Sequence, residues 1–462
     1  MNILFIHPNF PGQFLYLAEY LAKNPENRVF FLSEENVSGA ALRGVQLVLY
    51  KPAAQEAKDL AEKTGPCKTM MHSMLTGLQV VKALQQIEKQ AHFIPDVIVG
   101  HTGWGSLLYV KDLYPNVPVL GYVEWFYRAI GGDSYYWPDE IPSLDAKVAI
   151  RTKDASHLLS LASIDAAYTP THWQHSQFPA IYQPKIEVCH DGIHTEFCSP
   201  LPKRPGLVLE DAKIDLPEGS EILTYVSRGF EVFRGFPYFM DAVRLLLERR
   251  PQLHVIVVGS DRVCYGAQLK DTSYLKEERK KGIDETRVHF VGHRNRGDYQ
   301  KILRASSCHV YLTRPFILSW SMLEAMSFGC PLVASKTPPC EEVVEDGVNG
   351  LLAEFRSPHH IARRIEEILD DRDLAARLGK AACADRTCVA CAHDDGVVCI
   401  GIEARRQSVC DSHESPSQAP RKAPIPPTAQ GGTSDGAHDT HASRLNLGVD
   451  SNTRSYNGCG PL

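Results

Sequence analysis

The feature that most constrains this chain is a repeated unit: a short unbroken apolar run, a loop, then a stretch with helical apolar spacing. It appears first at Asn2–Ile6, followed by Pro11 and Gly12 and then by Phe14, Leu17, Ala18 and Leu21. Further runs at 29–32, Val45–Leu49, 96–99, 118–123 and 185–189 are separated by helical stretches such as 70–90 and 144–164. A strand that is apolar throughout must be covered on both faces, and strands alternating with helices run parallel. From about 195 to 220 the pattern breaks at Pro200, Pro202, Pro205 and Pro217, and it then resumes. Strands are predicted at 222–226, 254–258, 288–291, 309–312 and 331–334, with helices at 237–250, 298–305 and 319–328. The α/β class follows, with two tandem doubly wound domains at 1–194 and 221–382, a linker at 195–220, and a cleft between the carboxyl ends of the two sheets.

With 462 residues the chain exceeds one ordinary core, and 44% hydrophobic content is enough for two. A net charge of −6 gives no basic footprint, so nucleic acid is not an expected partner. The first residues lack a charged leader and no apolar run spans a bilayer, so a cytoplasmic place is expected, with peripheral contact to the inner membrane surface left open. The 13 cysteines show no disulfide rhythm, and reduced thiols are expected. Cys383, Cys388, Cys391 and Cys399 imitate a cluster spacing, but nothing around them supplies a core. Asp371 and Asp373 imitate a metal-binding pair, but they lie between two helices, where aspartates cap. Neither feature is read as a metal site. The tail at 383–462, rich in Ser, Pro, Gly and Thr, is expected to be disordered.

Residues 311–335, YLTRPFILSWSMLEAMSFGCPLVAS, run from a strand through a proline-containing loop into a helix that carries Glu324 and ends at Gly329. Here the chain resembles glycosyltransferase family 4, a retaining group of the GT-B architecture, with two Rossmann-like domains. The resemblance implies that Glu324 accepts hydrogen bonds from the ribose hydroxyls of a nucleotide-sugar donor. A carboxylate suits that task because it can accept from two hydroxyls at once. A second family glutamate touches the transferred sugar, and at its position this chain has Phe316. Ser319 and Trp320 open the helix, where free N–H groups are expected to face the pyrophosphate or sugar. In YVSRGFEVFRGFPYF, Arg228 and Arg234 match the arginine and lysine with which the family neutralises the donor diphosphate. Arginine keeps the charge and adds a planar fork that grips phosphate oxygens. The turn with Gly259 resembles the family's phosphate-side turn, and Phe290-Val291-Gly292 the segment whose main chain contacts the base.

In the first half, Gly12 occupies the first strand-to-helix loop, where the family has glycines close to the donor. The three-glycine fingerprint of a dinucleotide binder is absent. His101, in PDVIVGHTGWG, matches a family histidine that approaches the reacting sugar, and a neutral imidazole can hydrogen-bond a sugar hydroxyl. Glu124 stands where relatives often have histidine and is an acceptor-side candidate. Trp125, Tyr127, Tyr135, Tyr136 and Trp137 either form a platform for the acceptor or pack against the domain. His190-Asp191-Gly192-Ile193 resembles the family's hinge-side turn.

The expected function is transfer of a hexosyl unit from a nucleoside-diphosphate sugar to a saccharide or lipid-linked acceptor, in cell-envelope or exopolysaccharide biosynthesis; the resemblance implies retention of configuration and no metal or other cofactor. His101, Arg228 and Arg234 are the catalytic candidates. Donor contacts are expected from Gly12, Gly259, Val291, Ser319, Trp320 and Glu324, and acceptor contact from Glu124. Phe316 keeps open a non-catalytic nucleotide-sugar-binding protein, and a nucleotide-sugar epimerase of the same architecture is a third reading. The resemblance runs to about Ala382. Relatives continue there with a helix that crosses back onto the first domain, whereas this chain changes composition, as an altered reading frame or junction would produce.

Overall fold

In the computed structural model, which describes residues 1–36 and 39–384, the two series of strands form two separate parallel sheets. The first contains β1 (Asn2–Ile6), β2 (Arg28–Ser33), β3 (Val45–Leu49), β4 (Val97–His101), β5 (Val119–Tyr122), β6 (Ala166–Thr169) and β7 (Ile186–Val188), in the order β3-β2-β1-β4-β5-β6-β7. A two-stranded hairpin, β8 (Leu207–Leu209) and β9 (Ile214–Leu216), comes next. The second large sheet contains β10 (Glu221–Gly229), β11 (Leu253–Ser260), β12 (Val288–Gly292), β13 (Cys308–Tyr311), β14 (Leu332–Ser335) and β15 (Leu351–Ala353), in the order β12-β11-β10-β13-β14-β15.

The unbroken apolar runs are explained by burial on both sides. In β1, Leu4 and Ile6 pack with Leu84 and Ile98, while Ile3 and Phe5 pack on the opposite face with Phe14 and Phe31. The helix Phe236–Arg249 buries Phe236, Phe239, Met240, Val243 and Leu246, a stripe at helical spacing, and Pro237 sits in its first turn, where no N–H is needed. Chain order reverses beside the first strand of each sheet: β1 lies between β2 and β4, and β10 between β11 and β13. At such a reversal the loops diverge and leave a crevice outside the carboxyl ends of the strands.

Four local expectations need correction. The stretch 144–164 is two helices, Leu144–Lys153 and Ala155–Ser163, meeting at Asp154, whose carboxylate accepts the Tyr127 N–H at 2.9 Å. The segment read as a linker carries the hairpin, and its Leu207, Leu209, Ile214 and Leu216 pack with Ile222, Val226, Ile256 and Val258 of the second domain. Strands β6 and β15, of 4 and 3 residues, were not anticipated because runs that short show no period. The last helix runs from Arg372 to Ala384 and buries Cys383, so the fold continues slightly past Ala382. Asp371 accepts the N–H groups of Asp373 and Leu374, as a cap does. The expected disordered tail from 385 onward, with Cys388, Cys391, Cys399 and the suggested junction, lies outside the described residues. Among the described residues no helix is long and apolar enough to cross a membrane.

Candidate functional site

The loops that leave β1, β5, β7, β10 and β13 line one cleft, in which Gly12, Gln13, Glu124 and Asp191 of the first domain stand across from Arg228, Arg234, Ser319 and Trp320 of the second. A larger open groove, about 940 Å³, runs beside the hairpin and the helix Arg296–Ala305. Its charges are satisfied internally, Arg294 by Asp211 at 2.6 Å and Lys301 by Asp298 at 3.0 Å. The cleft at the two reversal points is the better candidate because polar groups from both domains converge there.

Its second-domain wall is built around arginine. Arg234 is buried, and its Nη1 donates to the Tyr311 hydroxyl at 2.8 Å, to Thr313 Oγ1 at 2.8 Å and to the Ile317 carbonyl at 3.0 Å. All three acceptors are neutral, and among the described residues no ion pair within 4 Å compensates the guanidinium. Glu231 acts on it only from beyond ion-pair distance, and a buried cation without a close counter-charge is costly, which makes the rest of the fork an attractor for an anion. Arg228 donates to the Tyr265 hydroxyl at 3.2 Å, and both guanidinium groups lie near the Tyr265 ring, 5.7 Å and 5.3 Å from its centroid. Tyr265 is held by Glu231, which accepts its N–H at 2.8 Å and also the N–H of Cys264. Burial pushes the Glu231 carboxyl up to about 7, against the pull of those two N–H groups. Glu231 and Tyr265 were not singled out from the sequence. Glu231 lies within the quoted arginine segment, but nothing in that segment reveals its partner.

On the opposite wall three histidines follow strand ends with one geometry. The N–H groups of Asn9, Gly103 and Gly192 donate to Nδ1 of His7, His101 and His190 at 2.9, 2.8 and 3.0 Å. In the neutral ring an accepting Nδ1 assigns the proton to Nε2. Burial lowers His7 to about 3 and His190 to about 4, so both are neutral near pH 7. Nε2 of His101 faces Glu124 Oε2 at 3.5 Å, and Gln13 donates its amide to Glu124 Oε1 at 2.8 Å. Burial by itself raises Glu124, but the interactions with His101 and Gln13 outweigh it and hold the carboxyl below its ordinary value. The result is a carboxylate at the cleft with the His101 ring beside it. Gly12 closes over this group: at φ +53° a Cβ there would stand 2.7 Å from the His7 ring.

The remaining candidates are distributed unevenly. The Ser319 N–H goes to the Tyr311 hydroxyl at 2.8 Å, so it is not free as expected, because a buried N–H takes a protein partner where one is available. Trp320 reaches across the cleft and donates Nε1–H to Asp191 at 2.9 Å. Glu324 lies one helical turn behind Trp320, 8% exposed, and accepts the Tyr299 phenol at 2.7 Å. His101, Glu324, Gly259 and Val291 are not among the residues that line the cleft. A Cβ on Gly259 would meet the Ser227 carbonyl at 2.0 Å, and the Val291 side chain is in the core while its carbonyl takes Arg294 Nε at 2.6 Å. Phe316 is buried among Trp125, Phe233 and Tyr265, with ring centroids at 4.9, 5.8 and 5.0 Å. Trp125 therefore packs rather than offering a free platform. Trp137 likewise stacks on Phe355 at 5.4 Å.

Residues 25–198 match the model of the glycosyl transferase family 4 group, and residues 209–385 match that of glycosyl transferases group 1. The chain carries both domains of a family 4-type glycosyltransferase. Curated relatives include D-inositol 3-phosphate glycosyltransferases of Streptomyces avermitilis, 27% identical over 50% of this chain and 50% of that protein, and of Corynebacterium glutamicum, 26% identical over 43% and 46%. The chain thus spans about half the length of the curated relatives it matches. Among solved structures, sucrose-phosphate synthase of Thermosynechococcus elongatus superposes with a TM-score of 0.62 at 16% identity, covering 89% of this chain and 100% of that one. Anabaena HepE, solved with UDP-glucose, superposes with a TM-score of 0.58 at 17% identity over 89% and 100%. At these identities the likeness is one of fold, and the fold is GT-B.

Proposed function

We propose that this family 4-type glycosyltransferase transfers a hexosyl unit from a nucleoside-diphosphate sugar to a saccharide or lipid-linked acceptor with retention of configuration, in cell-envelope or exopolysaccharide biosynthesis. The observation that carries the reading is Arg234, buried at the cleft with no ion pair within 4 Å among the described residues and flanked by Arg228. In transfer, the bond from the sugar to the diphosphate breaks and negative charge grows on the departing phosphate oxygens. Preorganised guanidinium groups stabilise that charge without reorganising, which is where electrostatic catalysis gains most. Across the cleft, Nε2–H of His101 is a donor suited to a sugar hydroxyl, and the Glu124 carboxylate is suited to the hydroxyl of the acceptor. Glu324 takes the ribose, and no metal or other cofactor is needed for this division of labour. The HepE structures with UDP and UDP-glucose support a uridine nucleotide as the first donor to try. Peripheral membrane contact is supported only by exposed Ile141, Leu144 and Val148 beside one another on the first domain.

One observation favours a second reading, nucleotide-sugar binding without turnover: Phe316 fills with aromatic packing the position where relatives have a sugar-contacting glutamate. A thermal-shift screen of nucleotide sugars followed by assay of nucleoside-diphosphate release separates the two. A ligand at 100 times its Kd stabilises by about 2.7 kcal/mol, well within detection. Stabilisation with diphosphate release supports transfer, stabilisation without release under any acceptor supports binding alone, and no stabilisation by any nucleotide sugar contradicts both.

A further inference from the structure

The carboxylate of Glu324 is held from one side only. Oε2 accepts the Tyr299 phenol at 2.7 Å, whereas Oε1 accepts no hydrogen bond among the described residues and Glu324 forms no ion pair there. Tyr299 comes from the helix Arg296–Ala305, 25 residues earlier in the chain, and its ring is packed with Val291, Ile302 and Ala325. The ring being fixed, its hydroxyl is fixed too. Burial and the charge of Glu324 push the Tyr299 phenol well above its ordinary value, so it remains a donor at any working pH. Burial draws the Glu324 carboxyl toward its neutral form, and the Tyr299 bond and the nearby charge of Arg296 resist this.

We propose that Tyr299 is a positioning residue for the nucleoside end of the donor: by pinning Oε2 of Glu324 it turns Oε1 to accept from a ribose hydroxyl. This rests on the reading that Glu324 meets the ribose. A carboxylate held in its bound orientation loses less freedom when the ligand arrives, and a site built to bond a hydroxyl rejects the analogue that lacks it. Tyr299 should therefore govern discrimination between ribose and deoxyribose rather than affinity in general.

The test is calorimetry of the full chain with uridine, guanosine and adenosine diphosphates and their 2′-deoxy and 3′-deoxy forms. The parent is expected to bind at least one ribonucleotide about tenfold or more tightly than one of its deoxy forms, the scale of one charge-assisted hydrogen bond. Tyr299→Phe keeps the ring and its packing but removes the donor to a buried carboxylate, so a modest fall in melting temperature is expected, and the proposal is read from that ratio, which should fall to about threefold or less. Glu324→Gln should also reduce the ratio. If Tyr299→Phe weakens both forms equally, Tyr299 is only structural and the proposal fails. If Glu324→Gln reduces the ratio and Tyr299→Phe does not, the proposal fails while the ribose reading stands. A parent that binds ribose and both deoxyribose forms equally overturns the ribose reading itself.

Discussion

Trp320 of the second domain and Tyr122 of the first donate to the same oxygen of Asp191, at 2.9 Å and 3.2 Å. The carboxyl at the end of the first domain is thereby tied to the loop that opens the Glu324 helix. Burial raises Asp191 to about 7, with the charge of Glu124 acting in the same sense and the two hydrogen bonds opposing. An unfolded aspartate titrates near ~3.9. Between about pH 4 and 7 the native state thus holds a proton that the unfolded state has released, so stability falls as pH rises through that window and levels off above it. In Asp191→Asn, urea unfolding at a series of pH values should show a shallower fall. Asp154 and Glu231, also raised to about 7, leave a residual slope. A variant whose profile runs parallel to the parent's would show that Asp191 does not carry this proton.

Arg314 joins the domains differently. It donates to the carbonyls of Asp133 and Ser134 at 2.6 Å and 3.1 Å, pairs with Glu140 and stacks on Trp137, 4.5 Å from the ring centroid. Arg314→Ala should loosen residues 133–140, visible as faster amide exchange there than in β1. The cost should fall somewhat below the roughly 3–5 kcal/mol typical of breaking a fully buried pair, because the Glu140 side chain keeps 20% exposure. Unchanged exchange in that segment would mean that the clamp is not what orders it.

Phe316 separates packing from chemistry. Its ring meets Trp125 of the other domain as well as Phe233 and Tyr265. Phe316→Ala should cost roughly 3–5 kcal/mol in urea unfolding, and Phe316→Leu less, as for a large core ring. If instead Phe316→Ala unfolds like the parent and only turnover changes, the residue serves the sugar directly and its packing is incidental.

How much was legible depended on whether a feature is local. The parallel sheets could be read because β1, β4 and β11 carry the unbroken apolar runs 3–6, 97–99 and 255–258, and the cleft followed from the strand order. The hairpin was missed although Ile214-Asp215-Leu216 alternates as a half-buried strand does and Leu207-Val208-Leu209 is apolar, because each run is 3 residues long and the surrounding prolines dominate. Arg228, Arg234 and Glu324 were found through resemblance to the family. Tyr299, Glu231 and Tyr265 act through partners that only the fold supplies. Tyr299 in sequence is one apolar position on a helix, and its carboxylate partner lies 25 residues away. The Ser319 N–H was misjudged for the same reason, since the hydroxyl that takes it belongs to Tyr311 at the end of β13.

The central claim is that Arg234 and Glu324 hold the two ends of one nucleoside diphosphate, and calorimetry on the full chain tests it most directly. Each lost charge-assisted bond costs roughly 1.5–3 kcal/mol, so Arg234→Ala or Glu324→Ala should weaken the best-bound nucleoside diphosphate by about ten- to a hundredfold. Because Arg234 also bonds Tyr311, Thr313 and Ile317, the comparison includes Arg234→Lys, which keeps the charge and should bind better than Arg234→Ala. With a turnover assay in hand, Arg234→Ala should lower kcat as well, whereas Glu324→Ala should act mainly through KM for the donor. Well-folded Arg234→Ala and Glu324→Ala variants that bind every nucleoside diphosphate as tightly as the parent would contradict the donor site and the function built on it.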